Sequence, residues 1–365
     1  MRFQVLDIIP HQDDPITGLQ VTTAQRFEQV IQTAVRAEEL GFDSFSVGER
    51  HAGAFISSSP AVVLGAIAAQ TQTIRLHTGV IVLSILDPVR VAEDFATVDQ
   101  LSSGRLELGI GKGNEAAHFP MFGKRVEDQW DLSEENYELL ARLFAQDPVD
   151  FTGGFRTPLE QVTTSPRPFQ HKVRIWHGSA TSLRSAELAA KHGDPLFSAN
   201  AIQPKENYRV LIDHYKTAYE QAGHDPAQRY IGSGSGAGGV YLADSTKAAI
   251  KEFGPVYEAL TSRRDVPGNN TPYRSIEHAV EEGPLLVGSP EFVAAKILDY
   301  HQSFGHDLQS ISLPTTEPFE AQLQTLERFA KEVIPLVDTQ TTLWTQHDPQ
   351  LNNTPENTPE KEYAR

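Results

Sequence analysis

The sequence predicts a (β/α)8 TIM barrel with loop insertions, on three observations. Short apolar runs alternate with amphipathic segments about eight times. Capping and turn residues punctuate the junctions between them. The length, 365 residues, accommodates one large α/β barrel, a fold of roughly 250 residues or more. A doubly wound sheet of six or seven strands is the architectural alternative, because the seventh strand has the weakest pattern.

Residues 3–9 read as the first strand. Residues 22–40 read as a helix: Thr22 with Gln25 forms a capping box, Phe27, Val30, Ile31, Ala34 and Val35 make an apolar face, and Gly41 stops it. Strand 42–47 and helix 60–70 follow, then a long apolar strand at 74–83. Asp87-Pro88 opens a helix with a cap and a first-turn proline, ending before Ser102-Ser103-Gly104. Strand 106–110 leads through a glycine-rich loop to a helix at 133–144. Residues 149–170, with Gly153-Gly154 and several prolines, read as an inserted hairpin and loop.

The alternation then resumes. Strand 173–176 precedes helix 183–191, and strand 196–199 precedes helix 204–222, whose Tyr208, Leu211, Ile212, Tyr215 and Tyr219 share one face. Strand seven lies within 229–242, with a helix over 245–262. Residues 263–286 read as a second insertion. Ser289-Pro290-Glu291 caps a helix reaching 304, strand eight covers 308–313, and the last helix 319–333. His301 and His306 read as surface residues. The barrel is assigned to residues 1–337 and a disordered polar tail to 338–365.

Composition removes several function classes. A net charge of −17 repels a phosphate backbone, and no basic patch offsets it, so nucleic acid is not an expected partner. Zero cysteines exclude disulfides, thiolate metal sites and a cysteine nucleophile. No apolar run approaches about 18 residues, so no membrane span is expected. The N-terminal residues turn acidic early and show no secretory h-region, which points to a cytoplasmic protein.

Barrel chemistry sits on the loops after the strand C-termini. After strand two stands Gly48-Glu49-Arg50-His51. An acid, a permanent cation and an imidazole suit proton relay or anion holding, or else an ion pair closing the barrel mouth. After strand four stands Gly109-Ile110-Gly111-Lys112-Gly113-Asn114. Its glycines permit close backbone approach to a ligand and Lys112 suits a phosphate, or else the glycines only shape a tight loop. After strand five, Gly178-Ser179-Ala180-Thr181-Ser182 runs into a helix. Three hydroxyls within four residues at a helix N-terminus exceed what one cap needs and favour an anion.

Other patterns fail on context. Gly234, Gly236 and Gly239 satisfy G-x-G-x-x-G, yet a strand rather than a helix follows, so no dinucleotide fingerprint is assigned. G-x-S-x-G at 232–236 lacks a strand–elbow–helix setting. No H-x-H, H-E-x-x-H or D-x-D cluster occurs, and no metal site is assigned.

The segments LGFDSFSVGERH, TGVIVLSILDPVRVAEDFATVDQLSSGRLELGIGKGN, PRPFQHKVRIWHGSATS and LVGSPEFVAAKILDYHQSFG resemble bacterial-luciferase-like, flavin-dependent monooxygenases. The similarity extends from residue 2 to about 337. The resemblance implies reduced FMN at the barrel mouth. Gly79-Val80 matches the place of a non-proline cis peptide beneath the flavin, and Lys112 a basic residue near flavin and phosphate. Ser179 and Ser182 match phosphate-holding hydroxyls. With them Gly111, Gly113, Asn114 and Gly178 form the expected cofactor-binding set.

His51 matches the second of two consecutive histidines, but the first is Arg50 here. Arginine does not deprotonate, so Arg50 is expected to stabilise an anion, leaving His51 or Glu49 for acid–base work. That departure argues against light emission. The resemblance further implies a small organic substrate, a separate flavin reductase and a homodimer or larger assembly. Loops 112–125 and 263–286 are lid candidates. Alternatives are a deazaflavin-dependent oxidoreductase, a metal-dependent barrel hydrolase and a flavin-binding barrel without catalysis.

Overall fold

A computed structural model describes residues 1–13, 18, 20–236, 238–262 and 271–341. Eight strands form the barrel: β1 Arg2–Asp7, β2 Ser44–Val47, β3 Arg75–Thr78, β4 Leu106–Gly111, β5 Arg174–Ser179, β6 Leu196–Ser198, β7 Ile231–Ser233 and β8 Leu308–Ile311. Every neighbour pairs in parallel, and β8 returns to β1 through Arg2↔Leu308 and Val5↔Ile311, closing the sheet. Each strand is followed by an outer helix: α1 Thr23–Glu39, α2 Pro60–Ala68, α3 Pro88–Leu101, α4 Gln129–Ala145, α5 Leu183–His192, α6 Lys205–Gln221, α7 Pro290–Phe304 and α8 Phe319–Arg328. Closure rules out the open-sheet alternative.

Local chemistry accounts for the element ends. Thr22 Oγ1 accepts from Gln25 N while Gln25 Oε1 accepts from Thr22 N, completing the capping box of α1. Asp87 Oδ1 accepts from Val89 N and Arg90 N at the start of α3. Gly305 ends α7 in the left-handed region, φ 65°, where a Cβ would be strained. The expected aromatic face of α6 is buried throughout. On α1 the buried stripe also takes in Arg26, because its guanidinium forks onto Asp7 at 2.8 and 2.6 Å.

Four elements differ from the sequence reading. The strand expected at 74–83 stops at Thr78; the Gly79–Val80 peptide is cis, and Ile81–Val82 then pairs separately with Ile110 and Gly111. The 229–242 region divides: β7 is three residues long, and Tyr241–Leu242 pairs outside the barrel with Val287–Gly288. α4 begins at Gln129, earlier than expected. Beyond α8 the chain makes a π-helical turn, Phe329–Val333, and a last helix, Ile334–Asp338. The hairpin insertion is present as Val149–Phe151 against Leu159–Val162.

His306 is a correction. It is fully buried, because Gly305 turns the chain directly inward to β8. Its Nε2 meets Gln309 Oε1 at 3.1 Å, and burial pushes its pKa down to about 3. His301 is partly buried, its Nδ1 on the His306 carbonyl at 2.8 Å. The expected tail falls mostly on 342–365, outside the described residues, as do 263–270 of the second insertion.

The N-terminal end of the barrel interior is filled by an ion cluster. Glu107 accepts from Arg2 at 3.0 Å and from the Trp176 indole at 2.6 Å, with Arg75 and Arg174 alongside. Burial opposes its ionisation, but the three guanidinium groups hold its pKa well below the ordinary carboxylate value.

Candidate active site

The opposite end of the barrel lacks that filling. A barrel interior is normally packed with layers of bulky side chains. At six strand ends the lining residue is instead Gly79, Gly111, Gly178, Ala199, Gly234 or Ser312. These small residues border a cavity of about 1360 Å³.

Val80 forms a step in its floor. A Cβ on Gly111 would stand 2.7 Å from Val80 Cγ2, and one on Gly178 2.6 Å from Val80 Cγ1. These two glycines therefore make room for the valine rather than for a ligand, which refines their sequence assignment. The peptide before Val80 is cis.

Glu49 fastens this floor. Its N–H donates to the Val80 carbonyl at 2.8 Å, and its Oε2 accepts from Val82 N at 2.7 Å. Its Oε1 meets His51 Nε2 at 2.5 Å. Glu49 and Arg50 line the cavity and His51 does not. His51 lies behind Glu49, edge-on to Phe122 and His118 at ring distances of 4.6 and 5.6 Å.

Arg50 is already partnered. Nη1 bonds the Glu115 carboxylate and, at 3.2 Å, Asn114 Oδ1, while the guanidinium covers the Phe55 ring. Glu115 also holds His118 Nε2 at 3.0 Å. Burial lowers the Arg50 and His118 pKa values. The β2 and β4 loops are thus tied together, and the Arg50 charge is balanced by a carboxylate the sequence reading missed.

Among the described residues Lys112 has only neutral partners, Gln129 Oε1 at 2.8 Å and the Gly113 carbonyl at 2.9 Å, with Trp130 5.0 Å away. Burial lowers its pKa. Arg184 packs on the same indole at 5.5 Å but is bound to Asp131 and Glu134. Ser179 Oγ accepts from Ser182 N and donates to the Ser182 carbonyl, and Ser182 caps α5. Both serines line the cavity beside Lys112. The first-turn N–H groups of α5 lack intrahelical acceptors, so a cation, a helix N-terminus and two hydroxyls converge there.

Behind this corner His177 Nε2 meets Asp194 at 3.1 Å, and Asp194 also accepts from the Tyr137 hydroxyl. Burial first, then Asp194, pushes the tyrosine pKa up. Across the mouth the wall comes from the excursion between β7 and α7. The helix Thr246–Ser262 contributes Val256, Tyr257 and Leu260, and Tyr273 and Leu285 follow. Asp7 with Arg26 and His77 also line the cavity, and the sequence reading named none of them. Among the described residues no cluster of three or more metal-ligating side chains occurs, and no helix is long and apolar enough to cross a membrane.

Fold and cavity together define a (β/α)8 barrel with a large cavity over its strand C-termini. The profile of the luciferase-like monooxygenase family matches residues 1–307. The chain belongs to that family. It is 24% identical over 338 residues to the oxygenase component of the flavin-dependent trigonelline monooxygenase of Acinetobacter baylyi, covering 87% of this chain and 91% of that one. The monooxygenase RslO1 of Streptomyces bottropensis superposes with a TM-score of 0.79 at 28% identity, over 92% of this chain and 99% of that one. The oxygenating constituent of 3,6-diketocamphane monooxygenase of Pseudomonas putida, solved in complex with FMN, shares the fold with a TM-score of 0.75 at 21% identity, over 92% and 98%. Two other curated relatives are matched over 59% and 50% of their own length.

Proposed function

We propose that this chain is the oxygenase of a flavin-dependent monooxygenase acting on a small organic substrate, with reduced FMN supplied by a separate reductase. The observation that carries the reading is the corner where Lys112, Ser179, Ser182 and the α5 N-terminus converge, beside the Val80 floor. That set fits a phosphate: the Lys112 charge has no carboxylate partner among the described residues, and helix N–H groups favour an anion. Bound reduced flavin supplies the electrons that activate dioxygen.

The chain's own residues bind, orient and exclude water. Val80, held from below by Glu49 and wedged over Gly111 and Gly178, offers an apolar support to a planar ring. Gly113 and Asn114 shape the loop carrying Lys112. Glu49 is the acid–base group facing the cavity, with His51 hydrogen-bonded behind it. Arg50, its charge balanced by Glu115, serves as a hydrogen-bond donor rather than a free anion site. The excursion wall encloses the substrate side, and loop 112–125 closes over it through Arg50–Glu115.

Residues 1–337 are read as the functional unit, acting in the cytoplasm. A homodimer or larger assembly belongs to the same proposal. The test is flavin affinity by fluorescence quenching, followed by oxygen consumption with a flavin reductase. FMN is expected to bind more tightly than a deazaflavin coenzyme; tighter deazaflavin binding overturns the assignment.

A further inference from the structure

Below the Val80 floor the cavity continues into the barrel and reaches Gln4, His77 and Ser310. These stand on β1, β3 and β8, with β2 between β1 and β3. The register sets Gln4 opposite Ser310 and Ser46 opposite His77. Three strands therefore put a polar side chain on one side of this throat, and Ser46 on β2 backs His77. The facing side carries Gly109 and Phe197.

All four polar side chains are at most 1% exposed, where an unmade hydrogen bond costs about 1–3 kcal/mol. Two are met: Gln4 Nε2 donates to Ser44 Oγ at 3.2 Å, and His77 Nδ1 lies 3.3 Å from Ser46 Oγ. Two polar atoms are not: among the described residues His77 Nε2 and Ser310 Oγ have no hydrogen-bond partner, and both residues border the same space. Buried polar groups are nearly always paired, with protein or with ordered water, so orphans facing a cavity mark a place for a ligand atom or a bound water. Burial holds the His77 pKa down to about 4, with Glu107 raising it and Arg2 lowering it. The ring is neutral at pH 7, with one N–H and one lone pair.

We propose that the throat is a binding subsite for one neutral oxygen function, a carbonyl or a hydroxyl, which His77 Nε2 and Ser310 Oγ hydrogen-bond. A neutral imidazole and a hydroxyl reward such a group without demanding charge, and the facing apolar side packs against the carbon skeleton bearing it. The oxygen comes from one of two sources, the flavin ring or the organic substrate. Only this choice of source rests on the proposed function.

The test compares 1-naphthol with 1-methylnaphthalene, which differ by hydroxyl against methyl, on the unloaded and the FMN-loaded protein. The measurements are dissociation constants and the 15N shift of the His77 ring. Naphthol is expected to move the His77 resonance, and its affinity relative to methylnaphthalene to fall about tenfold in His77→Phe and severalfold in Ser310→Ala. Ser310→Ala removes one atom and keeps the test valid if His77→Phe fails to fold. If FMN moves the His77 resonance and abolishes the naphthol preference, the oxygen is the flavin's; if the preference survives FMN, it is the substrate's. A ratio unchanged in Ser310→Ala, or in a folded His77→Phe, overturns the proposal, as does a fixed water on both atoms that the probe leaves in place. Failure of FMN to bind while the naphthol preference persists removes the flavin reading and leaves the subsite standing.

Discussion

Replacing Gly178 by alanine tests how the cavity floor is built. The new Cβ would lie 2.6 Å from Val80 Cγ1 and 3.3 Å from the Ile110 carbonyl oxygen. Carbon atoms settle about 3.5–4.0 Å apart, so the valine methyl must retreat by roughly 1 Å. Rotation offers no escape. A β-branched side chain is stiff at χ1, and Val80 Cγ2 already occupies the space over Gly111. Overpacking of this kind costs about 1–3 kcal/mol. Urea unfolding of Gly178→Ala, Val80→Ala and the double variant reads it out.

Gly178→Ala should lose stability in that range and weaken FMN binding. Val80→Ala in the same chain should recover most of the loss, giving a coupling of at least about 1 kcal/mol. Gly65→Ala is the control. It sits within α2, and its Cβ would meet nothing nearer than Leu101 Cδ1 at 4.0 Å, so it should gain about 0.5–1 kcal/mol. Wild-type stability for Gly178→Ala, or strict additivity with Val80→Ala, would refute the account of the floor.

Three further outcomes are expected. Lys112→Met should weaken FMN about tenfold to a hundredfold and leave riboflavin unchanged, since a charged hydrogen bond to phosphate is worth about 1.5–3 kcal/mol; fluorescence titration of both flavins decides it. Glu115→Gln should uncover the Arg50 charge at the mouth, so FMN affinity should rise and depend more steeply on salt, which titrations at two ionic strengths will show. His306, neutral in the fold with a pKa of about 3, takes up a proton on unfolding between about pH 3 and 6.5. Stability therefore rises with pH across that window, by about 1.4 kcal/mol per unit for one proton. Asp307, raised to about 6 by burial, binds its proton in the native state and works against this slope from about pH 4 to 6. His306→Gln should remove one proton's worth of the rise in urea unfolding curves measured from pH 4 to 7.

The sequence by itself determined the strand–helix alternation, the helix caps and the place of the functional loops. Each is written in a few neighbouring residues: Thr22 with Gln25, Asp87 with Pro88, Ser289 with Pro290. Apolar periodicity and capping act over single turns, so they survive in a linear reading. The expectation that Lys112, Ser179 and Ser182 serve one phosphate came from the family resemblance, and the hydroxyls at the α5 N-terminus supported it independently.

Only the tertiary structure decided what each of those residues does. It turned Glu49 and Arg50 toward the cavity and His51 away from it. It gave Arg50 a carboxylate 65 positions distant, spent Gly111 and Gly178 on Val80, and drew His306 inside. It also exposed the His77 throat, which no local pattern announces. Such outcomes depend on which side chain fills a space that several strands share. That volume exists only once the barrel has closed, and closure depends on pairings such as Arg2↔Leu308 between opposite ends of the chain.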